Sequence, residues 1–587
     1  MKVQLRNLLI LLAFVLFTGG CASMAPQDPP EVVAVQPEVV ETEQPAIPAA
    51  RPKPHEYPVE PFKNDALYQL LVAEVAGYRG EYEIALEKYM QMAEETQDAG
   101  VAARATRLAN YLKRDDLSLK ASQIWAEAEP DNIDAHRHSA DQLMRAGELE
   151  DAIYHMEAVK NLGGLANFDV FAYRAANLDE ASQKSLLDAI SGLLERHPGD
   201  HQLMFSKAVL LEQTGKLEES LALANELLAA KQNVNVTILK VNILRNLHRS
   251  DEALVFLEDV IKNDTGENRR LRLIYARFLF EGEHLVESQK QYEYLLEQSP
   301  NDGDVLFALS LLAIQLKDDD TATSYLQQMI RWNLRVGEAH FYLGNISERI
   351  DDVPRAIREY KQVGRGYEFL PALSRIANLM IEQDQLSEMK NYMSNLRSEN
   401  PGRADRLVMI EAQALSDQGM STEVFELLDE MLGAASDNQD LLYFRAMMGQ
   451  KFGRMDIMES DLLRVIELDP ENSDALNALG YSLTDQTDRH EEALDLIKRA
   501  LVIRPDEAAF IDSMGWVQYR LENFEEAVKY LRRALELFTN DEVAAHLGEV
   551  LWVIGEQTEA SEVWQKALEL KPDSDILKKV IERFTSP

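Results

Sequence analysis

The side chains that could do chemistry here are few, and their spacing does not suit it. A zinc-protease helix needs two histidines four residues apart with a glutamate beside the first, so that the set shares one face; no such run occurs. His136 and His138 are two apart, so on a helix they point different ways and make a poor metal pair. His490-Glu491-Glu492 opens a helical stretch whose charges are normally solvated. Asp318-Asp319-Asp320 and Asn301-Asp302-Gly303-Asp304 supply carboxylates without the ligand spacing of a calcium loop. There is no Gly-rich phosphate loop ending in Lys, and the one thiol is Cys21. These residues imply no metal, no cofactor and no catalytic constellation, so binding rather than turnover is the expected function.

The elements that hold these residues are set by repetition. From Phe510 to Pro572, Gly515 falls on Gly548, Ala527 on Ala560, Leu531 on Trp564 and Ala534 on Ala567, always at a step of 33 residues. Fixed self-similarity of this period is the mark of stacked repeats. Within a unit, Phe524, Ala527, Val528, Leu531, Ala534 and Leu535 recur at three- and four-residue steps with charges between them, which predicts a helix with one dry face. Gly480, Gly515 and Gly548 fall inside helices, where Gly costs about 1 kcal/mol relative to Ala; close approach of the paired helix is the expected compensation. Pro505 and Pro572 end the second helix by lacking an N–H. On these residues the chain resembles the tetratricopeptide repeat, whose pattern has a small residue in the first helix, Ala early and late in the second, and Pro after it. The resemblance implies an all-α fold: a tetratricopeptide-repeat solenoid, a right-handed superhelix of helical hairpins.

The residue equivalent to Ala527 runs through Ala85, Ala121, Ala152, Ser220, Ala253, Ser288, Ala322, Ala356, Met389, Val424, Met458, Ala493, Ala527 and Ala560. The long interval from Ala152 to Ser220 predicts a degenerate unit using Leu186, Ile190 and Leu193, closed by Pro198. About fifteen units of about 34 residues fill residues 62–572, leaving no room for a separate catalytic domain. Met389, Val424 and Met458 put a larger side chain in the small slot, so looser interfaces are expected there. Residues 573–587 read as a capping helix, with Ile576, Leu577, Val580, Ile581 and Phe584 on one face.

Residues 1–20 read as a secretory signal: Lys2 and Arg6 precede an apolar run, Leu8 to Phe17, too short to span a bilayer as a mature helix. Thr18-Gly19-Gly20-Cys21 resembles the bacterial lipoprotein box, which implies lipidation of Cys21. Ala22 in place of the retention aspartate implies sorting to the periplasmic face of the outer membrane. Residues 21–61 hold half of the chain's 20 prolines. Such a segment buries too little apolar surface to offset its ordering entropy, and is expected to be a tether.

Sixty basic against 100 acidic residues give a net charge of −40, which argues against nucleic acid and against docking of the folded surface on anionic lipid. Membrane contact is expected through Cys21 alone. A repeat array offers a long surface lined by its first helices. Beside the core stripe of those helices lie Asn242, Arg277, Asn345, Asn378 and Gln413. In peptide-binding members of the resembled family an Asn there holds a ligand backbone, which implies that role for Asn345 and Asn378, with Arg375 nearby; the full set of carboxylate-clamping cations does not match. Further on, Tyr481, Trp516, Tyr519 and Trp552 alternate with Asp474, Asp512, Glu542 and Glu549, a surface suited to apolar or basic partner segments. Trp125 and Trp564 are expected in the core.

The plan of lipobox, Pro-rich tether, LYQLLVAEVAGYRGEYEIALEKYM opening and GWVQYR unit resembles the repeat lipoproteins that partner a periplasmic carboxyl-terminal processing protease. This implies a non-enzymatic adaptor joining that protease to cell-wall hydrolase substrates. Other expectations are a scaffold for polysaccharide export or pilus assembly, a contact activator of a cell-wall enzyme, or an enzyme with catalytic groups between Asn161 and Pro198.

Overall fold

The structure, a computed structural model, describes residues 64–263 and 268–585. Residues 1–20, expected to be a secretory signal, Cys21 and the Pro-rich segment therefore lie outside the described residues. Among the described residues there are 31 α-helices and no strand: fifteen successive pairs and a last single helix, Asp575–Thr585. The chain divides into two compact units, the first ending at Ala128 and the second beginning at Glu129. The first holds the hairpins Asn64–Tyr78 with Tyr82–Thr96 and Ala99–Tyr111 with Asp115–Ala128. The second runs from Ile133–Ala146 with Leu149–Asn161 to Asp541–Val553 with Gln557–Leu570 and the last helix.

Short polar side chains start many of the first helices. Asp98, Asn132, Asp200, Asn233, Asn268, Asp302, Asn438, Asn472 and Asn540 each accept a backbone N–H from the first turn, satisfying donors that a helix start leaves open. The turn inside a hairpin works differently, through one left-handed residue such as Gly555 (φ 97°) or Glu522 (φ 61°). Glycine takes that conformation without a Cβ penalty, and the non-glycine residues hold it at some cost.

All fourteen residues aligned with Ala527 are completely buried. Where serine replaces alanine, its hydroxyl donates to the facing helix: Ser220 Oγ to the Ala208 carbonyl (2.6 Å) and Ser288 Oγ to that of Ala276 (2.7 Å). The expectation of looser packing at Met389, Val424 and Met458 is not met at those side chains, which are as buried as the alanines. At Met458 the facing small residue is Gly449, where a Cβ would come 3.1 Å from the Met458 amide nitrogen.

The mid-helix glycines serve close approach of the paired helix, as expected, a Cβ on Gly480 or Gly515 coming 3.1 or 3.2 Å from the Ala493 or Ala527 carbonyl oxygen, and they have a more specific use besides. A Cβ on Gly344, Gly480, Gly515 or Gly548 would come 2.5, 2.6, 2.5 or 2.0 Å from Tyr360, Ile497, Leu531 or Trp564 respectively. Each glycine makes room for one large side chain on the second helix, a turn beyond the small residue. The degenerate unit buries Leu186, Ile190 and Leu193, as expected. Its first helix is cut to Phe168–Arg174 and a 3-10 turn, while its second, Glu180–Arg196, is long. In the last helix Leu577 and Val580 are buried, but Ile576, expected on the same face, is exposed.

Candidate partner-binding surface

The amide positions on the first helices do not share one state. Asn242 and Arg277 are half-buried on Val234–Asn246 and Arg269–Glu281. Asn345, expected to offer its amide to a ligand, is already engaged: the Tyr360 hydroxyl lies 2.5 Å from its Oδ1 and 2.9 Å from Glu348 Oε2. Arg375 closes this network, with Nε 3.1 Å from the same Glu348 oxygen. The tyrosine ring that Gly344 admits thus delivers the hydroxyl that occupies Asn345. Asn378, one repeat on, keeps a buried Oδ1 with no partner among the described residues, whereas Gln413 is exposed and donates to Asp417 Oδ1 at 2.7 Å. Asn477, which the sequence does not single out, also carries an unpartnered Oδ1.

The C-terminal aromatic and acidic residues do come together, although not all as exposed anchors. Trp516 is only 7% exposed and stacks on His546, with ring centroids 4.2 Å apart and planes at 21°. His546 Nδ1 lies 3.0 Å from Asp512 Oδ2 and 3.1 Å from Oδ1. Tyr481 donates to Glu542 Oε1 (3.1 Å) and Tyr519 to Glu549 Oε1 (3.3 Å); Glu549 also pairs with Arg583 of the last helix. Burial, reinforced by the carboxylates, raises both tyrosine pKa values, that of Tyr519 to about 12. Trp552 instead stacks on Trp564 at 5.6 Å and so belongs to the core of the last hairpin. Asp474 lies outside the cluster, paired with Arg504 at 2.9 Å.

His546 is the member that sequence reasoning missed. One repeat separates it from Asp512, so the period itself was the available signal. Burial works against its charged form, but Asp512, Glu542 and Glu549 outweigh this and raise its pKa. A raised folded-state pKa means stability that is full below the unfolded value, about 6.5, and is lost as pH rises through the folded value. Amides of Asp541–Val553 are therefore expected to lose intrinsic-rate-corrected protection as pH rises above about 6.5, and Asp512→Asn to flatten that dependence; hydrogen exchange measures both.

A second missed pair spans the hairpin of Ile133–Ala146 and Leu149–Asn161: His136 Nδ1 and His155 Nδ1 are 2.8 Å apart, and His136 Nε2 is 2.8 Å from the Pro130 carbonyl. Burial and the His136 ring push the His155 pKa down to about 4. His340 and Glu359 meet at the same separation of 19, so the hairpin sets this spacing. Beside the degenerate unit a cleft of about 710 Å³ is lined by Ile153, Tyr154, Ala181, Ala189 and Gly192 with charged residues around them. Its Glu157 carboxylate is held by Arg196 (2.7 Å) and His197 (3.1 Å). No group of three or more His, Cys, Asp or Glu able to hold a metal occurs among the described residues.

Successive helical hairpins, fourteen of the fifteen burying the residue equivalent to Ala527 and most of those residues small, define a tetratricopeptide-repeat solenoid. The tetratricopeptide repeat family pattern matches residues 187–234, 459–508 and 513–575. Over 582 residues the chain is 40% identical to the TPR repeat-containing protein PA4667 of Pseudomonas aeruginosa, covering 99% of this chain and 97% of that one. It is 21% identical to the TPR repeat-containing protein YpiA of Bacillus subtilis over 64% of this chain and 89% of that one. Among solved structures, that of Naa15/Naa10 bound to HypK-THB aligns over 89% of each chain with 13% identity and a TM-score of 0.39. The chain belongs to the tetratricopeptide-repeat protein family, whose repeats form protein-interaction scaffolds.

Proposed function

We propose that this protein is a non-enzymatic scaffold, anchored by lipid at Cys21 to the periplasmic face of the outer membrane, that holds other proteins on its first-helix surfaces. The observation that supports this reading is that first helices in several repeats hold buried polar atoms without partners among the described residues, Asn378 Oδ1, Asn477 Oδ1 and Trp516 Nε1 among them. A buried polar group left unpaired costs about 1–3 kcal/mol, and a segment bound with a shift of the covering side chains would supply the missing partner. The acidic surface favours a partner with basic or neutral segments. The narrower reading, an adaptor between a carboxyl-terminal processing protease and cell-wall hydrolases, draws on the resemblance of the whole sequence plan.

In-cell cross-linking with identification of the linked peptides tests this. The expected result is partner peptides joined to the first helices between Phe369 and Val553, with a periplasmic protease among them. Recovery of a secretin or export porin instead would move the assignment to a secretion scaffold. Recovery of no partner from any repeat would reject the scaffold reading. The anchor has its own check: wild-type protein is expected in the membrane fraction and Cys21→Ser in the soluble fraction.

A further inference from the structure

The first described helix, Asn64–Tyr78, packs on Tyr82–Thr96, and its fully buried residues are all alanines: Ala66, Ala73 and Ala76. Its large apolar residues point the other way. Leu67, Tyr68, Leu71, Val75 and Tyr78 are 49–94% exposed, where a terminal repeat normally presents a polar face. Tyr68, Leu71, Val75 and Tyr78 follow at steps of three, four and three residues, the a and d positions of a coiled-coil seam. With Leu67 they fill one arc of about 100° on the helix, opposite the alanines. Charge is confined to the flanks, where Glu74 is already paired with Arg104. Asp65 in the first turn and Arg79 just past the last are exposed, and neither has a partner among the described residues. Arg79 still follows the helical path, since its N–H bonds to the Val75 carbonyl at 3.1 Å. The two are fourteen residues apart, which is two heptads, so they stand on the same flank of the seam at opposite ends.

We propose that this face pairs with the same face of a second copy of the chain, the two helices running antiparallel across a two-fold axis. In that arrangement a and d positions meet across the seam, so Tyr68 of each copy packs on Tyr78 of the other, and Leu71 on Val75. The same operation sets Asp65 of each copy beside Arg79 of the other, at both ends of the seam. A parallel pair would instead bring Asp65 level with Asp65 and Arg79 level with Arg79. An apolar middle with opposite charges at its two ends makes the face its own complement, which is the condition for an isologous interface. One helix from each copy buries less than a standard interface, so the pairing is expected in the micromolar range. It goes beyond the scaffold reading, whose partners are other proteins, and doubles the surfaces that one assembly presents to them.

Sedimentation equilibrium of the Cys21→Ser chain, in which neither a lipid nor a disulfide can join two copies, tests it. The weight-average mass is expected to rise from one chain toward two between about 1 and 100 μM. Leu71→Glu, which puts a charge in the seam, is expected to weaken the association at least about tenfold. Asp65→Arg and Arg79→Asp each set like charges together at both ends, and each alone is expected to weaken it at least about threefold. An equal mixture of these two variants sets opposite charges together again and is expected to associate as the unsubstituted chain does. Asp65, Leu71 and Arg79 are all exposed, so none of these changes removes a buried contact. A chain that stays monomeric throughout would overturn the inference and leave the face to residues 22–63 or to a different protein. Association unchanged by Leu71→Glu, or a mixture that associates no better than its components, would overturn it as well. None of these results decides the scaffold reading, which stands or falls on the cross-linked partners.

Discussion

Trp564→Ala is expected to destabilise the last hairpin and the helix behind it by about 3–5 kcal/mol, the usual range for removing a fully buried tryptophan. The ring is 1% exposed and stacks on Trp552 and on Phe584, with centroids 5.6 and 6.3 Å away. Collapse cannot repair the hole easily, because the residue facing it is Gly548, which has no side chain to move in. In a stack of hairpins each unit leans only on its neighbours, so the damage should stay local. Hydrogen exchange read peptide by peptide is the measurement, with protection in Asp541–Thr585 falling by a factor on the order of 10²–10³ and protection in Asn64–Ala128 unchanged. A uniform loss, or a local one below tenfold, would contradict this account. Gly548→Ala approaches the same contact from the other side. Its Cβ would sit 2.0 Å from Trp564 Nε1, and overpacking of this kind costs about 1–3 kcal/mol.

That contact also shows what the sequence could and could not convey. The slot residues are legible because most repeats solve the same steric problem with alanine or serine, and a recurring constraint leaves a recurring letter. The pairing of Gly548 with Trp564 is half legible: both stand at repeat positions, but only the coordinates show that the glycine accommodates the ring on the second helix rather than the helix as a whole. The candidate site is less legible, because its geometry depends on side-chain partners that differ from unit to unit. Asn345 and Asn378 occupy the same place in their repeats, yet one is held by Tyr360 and the other has a bare oxygen, since only the first repeat has a tyrosine where Ala377 faces Met393. His546 was hidden for a related reason. A lone histidine carries no local signal, and its partner Asp512 lies in the preceding unit. His136 stands two residues from His138 in sequence, but the residue it meets is His155, nineteen residues on across the hairpin.

Arg445→Ala should cost nearly as much as the loss of Trp564, although a charge rather than a ring is removed. Asp461 is buried on Met455–Leu468, where Arg445 Nε and Nη2 each lie 2.7 Å from one of its oxygens; a further guanidinium nitrogen reaches Asp429. Parallel N–H bonds of this kind satisfy a carboxylate that has given up its water. Taking away the arginine leaves the carboxylate unpaired in the core, a state that costs about 3–5 kcal/mol, whereas replacing both partners by apolar residues of similar size is often neutral or stabilising. Arg445→Met with Asp461→Leu is therefore expected to recover most of the stability lost by Arg445→Ala, even though it restores no hydrogen bond. Exchange protection of Gln439–Lys451 and Met455–Leu468 in the single and paired variants decides the matter. If the paired variant is as unstable as the single one, the hydrogen bonds themselves hold this hairpin together; if it recovers, the arginine is there to neutralise a buried acid.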